Sequence, residues 1–236
     1  MPVIAPDAMI QANLKVMSDE PLRPALVQIA EAFHRESGHR VEFVFGTSPM
    51  IHDQVANGER ADVLIIQPNF IAELVSSGRL VTGEHPVSAR VGLGLMARAD
   101  APSVDISTIE SFKETILNAR SLIFNNLASG NYFAKLLERL GIGEAVRKKV
   151  VRTDSSIVFQ RILQGNRSDI GVATIPLINA TKGLRLIGPL PVELQSYITY
   201  VAALMTSATS PRAASAFISF LDGHAAKVAF SKHSVE

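Results

Sequence analysis

The sequence predicts an α/β protein of two lobes, each a mainly parallel sheet flanked by helices, and three observations carry that prediction. Short β-branched runs alternate with helical patterns along most of the chain. One run, ADVLIIQ at Ala61 to Gln67, is almost continuously apolar, as suits a strand covered on both faces. A longer segment, SARVGLGLMARA at Ser88 to Ala99, divides the alternation into two series, and a late strand, Tyr197 to Met205, is long enough to cross back.

The first series opens with a strand at Leu14 to Met17, the turn Ser18-Asp19-Glu20-Pro21 and a helix over Pro24 to Ser37, which Gly38 ends. A second strand, Arg40 to Phe45, closes in Gly46-Thr47-Ser48-Pro49 and leads into a helix through about Asn57. After the third strand, Pro68-Asn69 starts a helix from Phe70 to Ser77, stopped by Gly78. The second series gives strand Ser121 to Asn125, helix Asn131 to Leu140, strand Lys149 to Arg152, helix Ser156 to Gln164 and strand Ile170 to Thr174. Leu184 to Leu190 is a further strand, and Ser210-Pro211 opens a helical tail, Arg212 to Leu221 and His224 to Phe230. This places lobe 1 at residues 13–88 and 200–236, and lobe 2 at 89–199.

The 236 residues, 47% of them apolar and 19% charged, suffice for one large core or two modest ones. Lys plus Arg (23) nearly balances Asp plus Glu (22). The one dense basic run, Arg147-Lys148-Lys149, reads as a solvated helix end, so no nucleic-acid partner is expected. The absence of cysteine excludes disulfides, thiolate catalysis and cysteine metal sites. The six histidines show no HxxxH or HxH spacing, Gly92-Leu93-Gly94 lacks the rest of a dinucleotide fingerprint, and no GxSxG occurs. Neither metal nor cofactor is therefore expected. No apolar run approaches the roughly 20 residues of a membrane span, so no membrane insertion is expected. The N-terminal MPVIAPDAMIQANLKVM lacks a basic region and a continuous apolar core, so it does not read as a signal peptide. The expected compartment is periplasmic if a leader was removed and cytoplasmic if Met1 is the native start.

The functional signal is the junction SLIFNNLASGNYFAKLLERLGI at Ser121 to Ile142, where an apolar strand runs through a small polar turn into an amphipathic helix. Such a turn points backbone N–H groups and the positive end of the helix dipole at whatever lies in front, and so accommodates an anion. Met17-Ser18-Asp19 and Gly46-Thr47-Ser48 repeat the pattern in the first series. In open α/β sheets ligands gather at the carboxyl ends of strands, where these turns fall. Ser18, Ser48 and Ser129 read either as plain N-caps, each contributing roughly 1 kcal/mol, or as parts of one shared anion site.

Beyond these residues the chain resembles the periplasmic molybdate-binding-like family of type 2 solute-binding proteins, which also includes aconitate isomerase. The matching stretches are the opening strand ending in Ser18, GTSPMI from Gly46, ADVLI from Ala61, ASGNYFAKLLERLGI from Ala128, DIGVAT from Asp169 and the tail SPRAASAFISFL. The resemblance implies a two-lobed type 2 periplasmic-binding-protein fold with a ligand cleft between the lobes and an ABC-transporter permease as partner. It implies a small anionic ligand held by Ser18, Ser48, the backbone at Ala128, Ser129 and Gly130, and the backbone near Val158; Thr47, in the same donor turn as Ser48, is a further candidate. Molybdate binders of that family usually carry a tyrosine hydroxyl where this chain has Thr174. The shorter Thr174, with amide donors at Asn125, Asn126 and Asn131, opens the alternative of a small organic carboxylate. The leading expectation is binding of an oxyanion or small carboxylate. The rival is a cofactor-free isomerase of a di- or tricarboxylate, for which Asp19, Glu20 or His52 would be the base; the bland reading makes His52 a helix-surface residue and the two carboxylates complements to a helix dipole.

Overall fold

The computed structural model describes residues 11–236; much of the stretch read for a leader, residues 1–10, lies outside the described residues. In chain order the elements are β1 (Asn13–Asp19), α1 (Arg23–Ser37), β2 (Arg40–Gly46), α2 (Ser48–Ala56), β3 (Val63–Ile66), α3 (Ile71–Ser76), β4 (Val87–Arg98), α4 (Ile109–Asn118), β5 (Ser121–Asn125) and α5 (Ala128–Arg139). They continue with α6 (Gly143–Val146), β6 (Val150–Thr153), α7 (Ser155–Gln164), β7 (Asp169–Thr174), α8 (Ile175–Ala180), β8 (Leu184–Pro189), β9 (Tyr197–Leu204), α9 (Pro211–Phe220) and α10 (His224–Lys232).

The chain divides into two compact units, one of residues up to Ser88 with Tyr200–Lys232, the other Ala89–Thr199 with His233–Glu236. The C-terminal tip thus belongs to the second unit, where the sequence reading put it in the first. Val235 bridges Val91, and Glu236 exchanges backbone hydrogen bonds of 2.6 and 2.8 Å with Arg90.

In the first unit β1 lies between β2 and β3, all parallel, and β9 adds antiparallel to β3. The register pairs Ser18 with Phe45 and Ile65, and Asp19 with Gly46, so the carboxyl ends of the three parallel strands share one edge. Every residue of β3 is buried, as its unbroken apolar run requires. Pro24 sets the start of α1, and Gly38 ends it in the left-handed region (φ 75°), its N–H reaching the His34 carbonyl at 2.9 Å. Met17, Ile51, Leu64, Leu74 and Val201 lie in one core. Phe33 of α1 meets Phe217 and Phe220 edge-on at 5.2 and 5.3 Å, which anchors the helical tail.

In the second unit β5 lies between β6 and β7, both parallel to it, and β4 runs antiparallel to β7 and β8. Phe133 of α5 packs edge-on against Phe124 of β5 at 5.2 Å and Phe112 of α4 at 6.4 Å, fixing α5 on its strand. Two elements lie where the sequence reading placed none: α4, opened by a reciprocal capping box of Thr108 and Ser111, and the short α8. Serine at the third helical position, where Glu or Gln is the usual sign, explains why the start of α4 is hard to see. Helix α5 begins at Ala128, three residues before the expected Asn131, so Ser129 and Gly130 lie inside its first turn.

Candidate functional site

The first-unit turns gather around Asp19. At the carboxyl end of β1 its side chain is 5% exposed and accepts from the Ser48 N–H (3.1 Å) and the Ser48 hydroxyl. That hydroxyl also accepts the Gln67 N–H at 3.2 Å, and the Gln67 side chain donates to Asp19. Burial pushes the Asp19 carboxyl above the ordinary carboxylate range, against the lowering effect of the hydrogen bonds from Ser48, Gln67 and Glu20. Tyr200, almost wholly buried, is pushed well up, first by burial and then by the Asp19 charge. The Ser18 hydroxyl, fully buried, donates to the Asp19 carbonyl at 3.3 Å.

The N-cap reading of the serines does not describe this geometry. Thr47 is the cap of α2, accepting the Met50 N–H at 3.4 Å, while Ser48 is the first helical residue and turns its hydroxyl to Asp19. No side chain caps α5, whose N-cap is Leu127.

Glu20 and His52 stand apart from that cluster. Glu20 pairs with Arg23 at 2.8 Å, and the Arg23 guanidinium covers the Phe45 ring at 4.2 Å. His52 sits beside the Phe70 ring (5.3 Å), with Nδ1 3.2 Å from Asp53 and Nε2 3.3 Å from Glu73 but without hydrogen-bond alignment to Glu73.

The second unit holds its turn open differently. Asn125, the last residue of β5, is buried, and its Oδ1 accepts from the N–H groups of Leu127 (3.0 Å) and Gly130 (3.2 Å) and from the Ser129 hydroxyl (3.2 Å). Its amide donates back to Ser129 Oγ at 3.1 Å. Of the first-turn donors of α5, this leaves the N–H groups of Ala128 and Ser129, which a helix cannot satisfy internally. Gly130 makes this closeness possible: a Cβ there would collide with the Asn125 carbonyl oxygen and stand 2.8 Å from its Oδ1.

Asn125 therefore works as an internal acceptor more than as a free amide donor, correcting the expected role. Asn131 is also committed, donating to the Asn126 carbonyl at 3.1 Å. The exposed Asn126 side chain remains unengaged among the described residues. The N–H at Val158 is used within α7, bonding the Asp154 carbonyl at 3.3 Å, and its side chain is in the core. The open donors of that helix are at Ser155 and Ser156, three and two residues before the expected Val158.

Thr174 ends β7 beside β5, 6% exposed, and its hydroxyl has no hydrogen-bond partner. A buried hydroxyl left so costs roughly 1–3 kcal/mol, which makes it a mark of an incomplete site. Arg152, paired with Phe124 in the β5–β6 register, stands at the same edge. Its Nη2 donates to the Asn125 carbonyl (3.1 Å) and Asn131 Oδ1 (2.5 Å), and its guanidinium lies over the Phe124 ring at 5.2 Å. The sequence reading passed over Arg152, Gln67 and Tyr200. The first two sit at or just beyond the carboxyl ends of parallel strands, a position that was available as a signal.

Among the described residues no group of three metal-ligating side chains occurs, and no helix is long and apolar enough to cross a membrane.

The chain is 23% identical over 238 aligned positions to an aconitate isomerase of a Pseudomonas species, covering 94% of this chain and 90% of that protein. Its fold is that of the Azotobacter vinelandii periplasmic molybdate-binding protein (TM-score 0.77, 20% identity, 94% of this chain and 98% of that one). The sulfate-binding protein of Mycobacterium tuberculosis is similar too (TM-score 0.73, 17% identity, 95% and 86%). With the model of the bacterial extracellular solute-binding proteins matching residues 14–234, the chain belongs to that family.

Proposed function

We propose that this protein binds a small anion, an oxyanion or a small organic carboxylate, as the solute-binding component of an ABC-type transporter, with a permease as its partner. One observation carries the reading: the partnerless Thr174 hydroxyl at the edge where the Ala128 and Ser129 N–H groups are also unspent. Hydrogen bonds to a charged ligand contribute roughly 1.5–3 kcal/mol each, so a handful of such donors outweighs the ordering cost and supports micromolar binding.

A thermal-shift panel of molybdate, tungstate, sulfate, phosphate, citrate and trans-aconitate tests it. A ligand at about 100 times its Kd adds roughly 2.7 kcal/mol of stability. No shift with any of the six would end the proposal.

A second reading rests on a different observation, the buried Asp19 carboxyl with its raised proton affinity. In a cofactor-free isomerase of an allylic tricarboxylate, Asp19 would take a proton from one carbon and return one to another, with no net change of redox state. The aconitate isomerase among the relatives gives this reading weight. Incubation with cis- or trans-aconitate in D₂O, followed by NMR, decides it. Carbon-bound deuterium appearing within hours supports chemistry; none over that time leaves a binder.

A further inference from the structure

We infer that Arg152 is the residue that selects a polycarboxylate over an inorganic oxyanion. The inference rests on the proposed anion site and narrows its ligand class.

The argument starts from what holds the guanidinium. Both hydrogen bonds of Arg152 come from Nη2, one to the Asn125 carbonyl and one to Asn131 Oδ1. The buried Phe124 ring supports its face. Three fixed contacts restrict a side chain that would otherwise lose much rotamer freedom on binding. Nε and Nη1 keep their N–H groups unspent, and among the described residues no carboxylate pairs with Arg152. A positive charge is thus anchored beside the first turn of α5 with donors to spare, on the β6 side of β5, while the partnerless Thr174 hydroxyl lies on its β7 side.

These two donor sets differ in kind. The α5 N–H groups and the Thr174 hydroxyl are short, neutral donors suited to one compact anionic group. Arg152 adds a full charge on a longer arm at the exposed side of the same turn, where a second anionic group of an extended ligand would lie. Sulfate or molybdate, compact and single-centred, would be met by the neutral donors without it. An acid carrying two or three carboxylates uses both sets, and the planar guanidinium suits a planar carboxylate.

Isothermal titration of the full chain with tricarballylate, citrate, sulfate and molybdate tests this, using wild type, R152Q and R152K. Arg152 is exposed, so the variants should fold, and circular dichroism checks that they do. The expected result is tricarballylate and citrate binding that R152Q weakens tenfold or more, with part of the loss restored in R152K. Residual sulfate or molybdate affinity should change less than about threefold, because the neutral donors remain. Equal weakening for all four probes would make Arg152 a mere support for α5 and overturn the inference, as would unchanged carboxylate affinity. Wild type binding sulfate or molybdate but neither carboxylate would overturn it while leaving the anion-binding reading intact. Binding of none of the four would overturn both. Should R152Q fail to fold, the carboxylate-to-oxyanion affinity ratio of R152K against wild type decides, an unchanged ratio counting against the inference.

Discussion

The two units present the same kind of strand-to-helix turn with opposite kinds of internal partner. In the first, the α2 start is met by the protein's own carboxylate: Asp19 accepts the Ser48 N–H and hydroxyl, and Gln67 adds to it. In the second, the α5 start is met by a neutral amide oxygen, Asn125, with Arg152 at its flank and an unengaged hydroxyl at Thr174. One turn is closed on a buried carboxyl of the chain's own; the other is flanked by a cation and incomplete. A helix N-terminus is a ready anion site only when nothing in the chain has already taken it. Equal-looking sequence turns therefore do not have equal capacity for a ligand.

The largest effect should come from the residue that keeps the second turn tight. In G130A the new Cβ collides with the Asn125 carbonyl, a backbone group that has no flexible end to swing away. The expected loss is about 3 kcal/mol of stability, at the upper end of overpacking costs. Ligand stabilisation should disappear with it. Denaturant unfolding measures the first and thermal shift the second. A G130A protein with parental stability would mean that the α5 start is not held against β5 as described.

The first turn breaks the comparison in the other direction. Because the folded-state pKa of Asp19 lies above the unfolded one, protonated Asp19 favours the fold. Its contribution is full below the unfolded value near 3.8 and is lost as the pH rises through the raised folded value. D19N keeps an acceptor for the Ser48 N–H and has no charge to bury. The stability difference, D19N minus wild type, should therefore move in favour of D19N as the pH rises from 4 to 8, in denaturation followed at each pH. Parallel curves would show that the buried carboxylate is not under this strain. Under the isomerase reading D19N would also abolish deuterium incorporation; under the binding reading there is none to abolish.

The alternating strands and helices were legible because their signals are local: the short run VLII, bounded by turns, suits a covered strand, and Gly38 can stop α1 at no steric cost. The turns were legible as places. Their internal partners were not, since Asp19 meets Ser48 across 29 residues of sequence and Arg152 meets Asn125 across 27. Local reading therefore named Asn125 as a ligand donor when tertiary packing makes it the acceptor that closes its own turn. It also grouped Glu20 with Asp19, though one more step along the chain turns the side chain from the buried cluster to an exposed pair with Arg23.

Thr174 separates stability from binding. T174V removes a hydroxyl that has no partner and keeps nearly the same shape, so stability should rise by about 1 kcal/mol. Anion-induced stabilisation should fall in the same protein, a gain and a loss from one atom. Lower stability together with undiminished ligand shifts would mean that the hydroxyl serves the fold and not a guest.

The smallest effect tests the distinction between two adjacent carboxylates. Glu20 and Arg23 form an exposed pair with side-chain accessibilities of 36% and 49%, where water screens the charges and the pair contributes little. In E20Q the Arg23 guanidinium keeps its place over Phe45, so the packing contribution survives the loss of charge. The expected change is about 0.5 kcal/mol or less, with ligand shifts and any deuterium incorporation unchanged. A large loss of either function in E20Q would move the chemistry of the first turn from the buried carboxylate to the exposed one, and the contrast between a closed and an open turn would have to be redrawn around Glu20.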